Sequence, residues 1–219
     1  MSTRTIGEPI PRREDPRLVA GDGRFLDDLG HDALQVAFVR SPHAHARVVD
    51  IDVSGALDVD GLVAVYTYDD LGGKLAEPLP VTIPHPTLTH ARTPHLLAVD
   101  EVNHVGEAVA MVVATDRYVA EDICDRIRVE YEFLPPVVGL EAARSGETLV
   151  HEDVPANVAA HMVQEVGDAR ATIDAAPNVL ELDLEIERSA SMPMEGKGVY
   201  ARWDADDRSL RVYTSTQAS

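Results

Sequence analysis

The sequence is short of four things, and each shortage excludes something. It has one cysteine, Cys124, so an internal disulfide and any metal site built on cysteine alone are ruled out. Aromatic residues are 5% of the chain against 45% hydrophobic residues in all, so the core is aliphatic. Basic residues number 19 against 38 acidic ones, a formal net charge of -19. Such a surface repels phosphate and argues against nucleic acid or an anionic membrane as partner. It reads first as a solubilising acidic surface, and second as suited to a salt-rich host or a basic partner subunit. Long apolar runs are missing too. Residues 1–8 lack the apolar core of a signal peptide, and nothing approaches membrane-spanning length. The expectation is a cytoplasmic protein with 219 residues in one large domain, or one domain with a substantial appendage.

What is present is organised around residues 104–138. Ala108–Ala114 is a short, valine-rich apolar run, which predicts a buried strand. Thr115 or Asp116 supplies an N-cap for a helix. Val119, Ala120, Ile123, Cys124 and Ile127 recur at helical spacing and form one apolar stripe. Cys124 lies on that stripe, so it reads as a packed thiol rather than a nucleophile. Arg128–Phe133 alternates as a strand does and stops at Pro135-Pro136. Strand, helix and strand in this order predict a parallel βαβ unit with a right-handed crossover.

Residues 1–30 read as an arm, interrupted by Pro9, Pro11 and Pro16 and turning at Gly21-Asp22-Gly23. Residues 34–53 are strand-like, broken at Pro42, with alternation resuming from Ala46. His43 and His45 sit two apart, on one face if the strand continues through them. A metal pair there lacks an acidic or cysteine partner at ligand spacing. A short helix from Ser54 to Gly61 and a strand over 62–68 follow. Residues 71–95 form a long loop with five prolines and with His85, His90 and His95 five apart. That spacing suits neither helix nor strand, so these histidines read as scattered surface residues. Loops of this length are usually functional or covered by a partner. Further on, Gly167-Asp168-Ala169 turns into a short helix. Residues 179–189 alternate Leu180, Leu182, Leu184 and Ile186 with acids, predicting a long strand with one wet face. Residues 199–203 and 210–214 predict a hairpin.

Several motifs then agree in order. RREDPRLVAGDGRFLDDL, FVRSPHAHARVVDID, LLAVDEVNHVGEAVAMVVATDRYVAEDI, VEYEFLPPVV, MPMEGKGVYARWD and LRVYTSTQ together resemble the N-terminal part of the large, molybdopterin-binding subunit of the xanthine dehydrogenase and aerobic carbon monoxide dehydrogenase family. The resemblance runs from Ile6 to Gln217. It implies an α/β (α+β) fold: an N-terminal arm over 1–19, an α/β hammerhead domain over 20–138, and a linker with the incomplete start of a molybdopterin-binding domain over 139–219.

The same resemblance implies the chemistry. Gln217 matches the family glutamine beside the molybdenum, where a side-chain amide donates to an oxygen ligand without ionising. From spacing alone it would be the polar end of a strand. Met194, Glu195, Gly196 and Gly198 match the stretch before that strand. Gly196-Lys197 replaces a Pro-Arg common elsewhere, which leaves Lys197 without an assigned role, and Glu195 reads as a structural carboxylate before a site acid. No catalytic residue and no metal ligand is assigned in this chain. The implied cofactor is molybdopterin with molybdenum, in the cytosine dinucleotide form, held by the assembled enzyme and not by the isolated chain. The implied partners are a C-terminal molybdopterin-binding polypeptide, an iron-sulfur subunit and an FAD subunit. The expected function is a molybdenum hydroxylase component that hydroxylates a small substrate with water as oxygen source. The alternatives are a non-catalytic subunit-interaction module or a truncated inactive fragment.

Overall fold

The computed structural model describes residues 6–7, 9–29, 32–186, 189–190 and 192–216. In chain order the helices are α1 (Asp15–Val19), α2 (Arg117–Cys124), α3 (Leu140–Ser145) and α4 (Ala169–Asp174). The strands are β1 (Gln35–Arg40), β2 (Ala46–Asp52), β3 (Leu62–Tyr66), β4 (Glu101–Val102), β5 (Ala108–Ala114), β6 (Arg128–Phe133), β7 (Val199–Asp204) and β8 (Ser209–Thr214). The chain divides into two units, Leu34–Leu180 and a second formed by Met1–Ala33 with Glu181–Ser219.

In the Leu34–Leu180 unit the strands alternate between two antiparallel sheets. The odd strands pair in the order β1-β5-β3 and the even strands in the order β4-β2-β6. The valine-rich run is the central strand β5, with Val109, Ala110, Val112 and Ala114 fully buried. Met111 sits opposite Phe38 of β1 on one side and Tyr66 of β3 on the other.

The parallel βαβ unit predicted for 108–133 is therefore not formed. β5 and β6 belong to different sheets, and every pairing is antiparallel. Both edges of β5 are taken by β1 and β3. The apolar side chains of β6, Val129 and Tyr131, pack instead on a second cluster of Ala46, Ala98, Val102 and Val109. The right-handed crossover rule governs strands that return to one sheet, so it does not apply here.

Helix α2 forms where its cap and stripe dictate. Asp116 is the N-cap, and its Oδ1 accepts the backbone N–H groups of Tyr118 at 2.8 Å and Val119 at 3.3 Å. Ala120 and Ile123 enter a cluster with Ala56, Val112, Ala114 and Ile127. Ile51 and Val129 touch both clusters and so tie the two sheets together. Each fully buried valine or isoleucine in this core contributes about 1.5–3 kcal/mol. Gly61 sits at φ +89°, where a Cβ would lie 2.8 Å from Thr115 Oγ1, so the turn into β3 requires glycine there.

Residues 71–95 are a loop, as predicted, apart from a 3-10 turn at Gly73–Ala76. The loop is fastened to the segment around residue 159. Thr89 and His90 donate their backbone N–H groups to the Ala159 carbonyl at 3.0 and 3.2 Å, and Arg92 pairs with Asp153. Asn157 organises that segment: its Oδ1 accepts from Val150 N, and its Nδ2 donates to the carbonyls of Ala143 and Thr148.

In the second unit β7 and β8 form the predicted antiparallel hairpin. The arm contains a five-residue helix, α1, that proline content had obscured; Pro16 falls in its first turn, where a missing N–H costs nothing. The long strand predicted for residues 179–189 is not present over 179–186, while Glu187 and Arg188 lie outside the described residues. A strand is stable only within a ladder, and β7 and β8 pair with each other. Leu180, Leu182, Leu184 and Ile186 consequently face solvent, Leu184 at 84% and Ile186 at 92% exposure.

Candidate functional site

Gln217 lies outside the described residues. Ser215 fastens the end of β8 to the segment before β7. Ser215 Oγ donates to the Gly196 carbonyl at 2.8 Å and accepts from Gly198 N at 2.9 Å, while Ser215 N donates to the Gly198 carbonyl at 3.2 Å. The structure thus brings the 196–198 stretch beside the chain two residues before Gln217. Glu195 is occupied structurally. Its Oε1 accepts the backbone N–H of Leu26 at 2.8 Å and anchors the arm. Leu26 also covers Gly198, where a Cβ would meet Leu26 Cδ1 at 2.8 Å. Lys197 and Met194 are exposed.

The histidine pair does not share a strand face. His43 and His45 both fall in the bend between β1 and β2 and go separate ways. The bend is set by Ser41, a buried residue whose backbone N–H donates to Glu107 O at 2.8 Å and whose Oγ bridges the N–H and C=O of His43 at 3.0 Å. The His43 ring stands edge-on to Tyr131 and Phe133, with centroids 4.9 and 4.7 Å away. His45 turns inward, its Nδ1 2.8 Å from the Pro135 carbonyl. The loop histidines are scattered as expected: His85 bonds Thr87, His90 bonds Thr89, and His95 bonds the Ala76 carbonyl and stands edge-on to Tyr68.

Electrostatics add no nucleophile. Burial, helped by the charges of Asp125 and Glu121, pushes the Cys124 thiol up from its ordinary value, which suppresses the reactive thiolate. Burial also raises Tyr131, against a hydrogen bond with the Ser41 side chain. Bonds from Ser54 lower Asp52, and Arg92 lowers Asp153. Among the described residues no group of three or more His, Cys, Asp or Glu side chains is placed to hold a metal ion, and no helix is long and apolar enough to cross a membrane.

Residues 20–135 match the family model of the aldehyde oxidase and xanthine dehydrogenase a/b hammerhead domain. The chain belongs to the aldehyde oxidase and xanthine dehydrogenase family. Its two interleaved antiparallel sheets are the hammerhead of this family, an α/β fold. Residues 150–219 match the molybdopterin cofactor-binding domain. The family chain is 35% identical over 97% of its length to 26% of the nicotine 6-hydroxylase large subunit of Paenarthrobacter nicotinovorans. It is 32% identical over 94% of its length to 27% of the carbon monoxide dehydrogenase large chain of Hydrogenophaga pseudoflava. Among solved structures, quinoline 2-oxidoreductase from Pseudomonas putida 86 superimposes with a TM-score of 0.82 at 34% identity, over 95% of this chain and 26% of that one. The chain thus spans about a quarter of the length of the curated relatives it matches.

The described residues do not by themselves fit a pterin cofactor. Cavities of about 180 and 330 Å³ are lined by residues no later in the chain than Val150, and the larger presents Asp50, Asp69 and Asp100, which repel phosphate.

Proposed function

We propose that this chain is the N-terminal part of the large, molybdopterin-binding subunit of a molybdenum hydroxylase. In the assembled enzyme, a xanthine, aldehyde or carbon monoxide dehydrogenase-like oxidoreductase, a small substrate is hydroxylated with water as oxygen source. The observation that carries this reading is the succession of two family models along one chain, the hammerhead over 20–135 and the molybdopterin cofactor-binding domain over 150–219. Within it, residues 1–19 are an arm, 20–138 the hammerhead domain, and 139–219 a linker and the beginning of the cofactor domain. The cofactor is molybdopterin in the cytosine dinucleotide form, and when bound it supplies the redox centre. Gln217 presents its amide there in this reading, and the bonds of Ser215 to Gly196 and Gly198 support it by ordering the chain two residues earlier. The assembly is cytoplasmic and heteromeric, with iron-sulfur and FAD subunits.

In this reading the 179–186 segment and the hairpin pack against the remainder of the large subunit. The alternating side chains Leu180, Leu182, Leu184 and Ile186, and the exposed hairpin residues Val199, Trp203 and Leu210, support it. Exposed apolar strand-formers of this kind are completed by strand addition. Hydrogen exchange of residues 1–219 alone and of the same residues together with the remainder of the subunit tests the proposal. Amides of 179–186 should exchange freely in the chain alone and become protected in the complex. Gln217→Ala in the complex should lower turnover. Unchanged exchange with unchanged turnover would favour a non-catalytic interaction module instead.

A further inference from the structure

The long loop over 71–95 carries five prolines, and its tip is fixed from outside the loop. The Ala159 carbonyl accepts three donors from it: Thr89 N at 3.0 Å, His90 N at 3.2 Å and Thr89 Oγ1 at 3.3 Å. Leu88 and Ala160 form an antiparallel bridge, and Arg92 pairs with Asp153. The Arg92 guanidinium holds the Asp153 carboxyl below its ordinary range. The base of the loop is closed separately. Leu79 N donates to the Pro94 carbonyl at 2.9 Å, and the His95 ring bonds the Ala76 carbonyl at 3.1 Å. Residues 153–160 therefore hold the tip rather than the base.

The holding segment is itself under backbone strain. Ala156 and Asn157 follow one another at φ 56° and 54°, in the left-handed region that asparagine tolerates and alanine rarely adopts. Asn157 keeps the turn in place. Its Oδ1 accepts from Val150 N at 2.8 Å, and its Nδ2 donates to the carbonyls of Ala143 and Thr148 at 3.1 and 2.8 Å. Strain kept in place by surrounding bonds is a mark of switch regions. Relaxing Ala156 redirects the chain after it and draws the Ala159 carbonyl away from Thr89 and His90. We propose that residues 153–160 are a latch, which closed holds the tip of the long loop and opened, by relaxation at Ala156, releases it. The same residues lie at the start of the stretch that matches the molybdopterin cofactor-binding domain. The latch thus makes the order of a hammerhead loop answer to the residues that lead into that stretch. It stands on these contacts and does not depend on the cofactor reading.

Hydrogen exchange of the full chain tests the latch, read at the Thr89 and His90 amides with β5 as reference. Asn157→Ala removes the three bonds that keep the turn closed. It should speed exchange at both amides about tenfold, the equivalent of about 1.4 kcal/mol, and leave Ala108–Ala114 unchanged. Ala156→Gly relieves the left-handed strain and keeps every bond of the latch. It should slow exchange at the same two amides about threefold, although glycine in place of alanine loosens most segments. Because the variants act in opposite directions, neither effect is a general loss of stability. Ala156→Gly also decides the matter alone where Asn157→Ala does not fold. Unchanged exchange at Thr89 and His90 in a folded Asn157→Ala variant would show that something other than 153–160 holds the tip. Faster exchange in Ala156→Gly would show that the turn stores no strain. A matching change in β5 would make the segment part of the core and not a latch. Each of these three results overturns the proposal.

Discussion

Truncating Ile123 to alanine separates the packed core of this chain from its exposed 179–186 segment. Ile123 is fully buried in the cluster of Ala56, Val112, Ala114, Ala120 and Ile127. Removing three of its carbons there costs about 2–5 kcal/mol, the transfer term plus the cavity left under α2. In a chain of this size that lowers the melting temperature by roughly 5–15 °C. Ile123→Val should cost about 0.5–1.5 kcal/mol and fall between. The paired control is Leu184→Ala, an equally large apolar truncation at a position 84% exposed, which should stay within about 0.5 kcal/mol. Thermal unfolding followed by circular dichroism measures all three. If Leu184→Ala destabilises the lone chain as much as Ile123→Ala does, the 179–186 segment is buried in solution and the reasoning fails.

Gly61→Ala should lower stability by about 1–3 kcal/mol in the same assay, because the residue sits at φ +89° with its added Cβ 2.8 Å from Thr115 Oγ1. Adding Thr115→Ala should recover part of that loss; no recovery would assign the whole cost to the backbone. Asp116→Ala removes the cap of α2 and should cost about 1 kcal/mol, with Asp116→Asn close to wild type in denaturant titration. Cys124 should react slowly with thiol reagents in the native state. Its folded-state pKa is raised by burial, so its contribution to stability is complete below the ordinary thiol pKa and is lost as pH rises through the raised value. Rapid full labelling at neutral pH without unfolding would contradict the packing of α2.

The features that sequence revealed are those fixed by near neighbours. Pro42 ends one strand, Asp116 caps a helix, and the alternation over 199–214 folds into a hairpin. Each is decided within a few residues. Which strands pair was not legible, because the pairing of Phe38 with Met111, or of Val48 with Tyr131, depends on side chains far apart in the chain. The alternation over 179–189 predicts a strand that is not formed over 179–186, since a ladder needs a partner that periodicity does not reveal. The candidate site divides the same way. The motif around Gln217 was visible as a family resemblance, whereas the meeting of Thr89 and His90 with Ala159 carries no sequence signature. A Pro-His-Ala-His run gives no sign that only the second histidine turns inward.

The measurement that bears most directly on the central claim is the molybdenum content of a reconstituted large subunit. This chain would replace the matching first part of the nicotine 6-hydroxylase large subunit, to which it is 35% identical, co-expressed with the remainder of that subunit. The native subunit and this chain alone serve as controls. The account predicts stoichiometric molybdenum in the purified chimeric complex and none in the chain alone. A folded, co-purifying complex without molybdenum, beside a loaded native control, would contradict it.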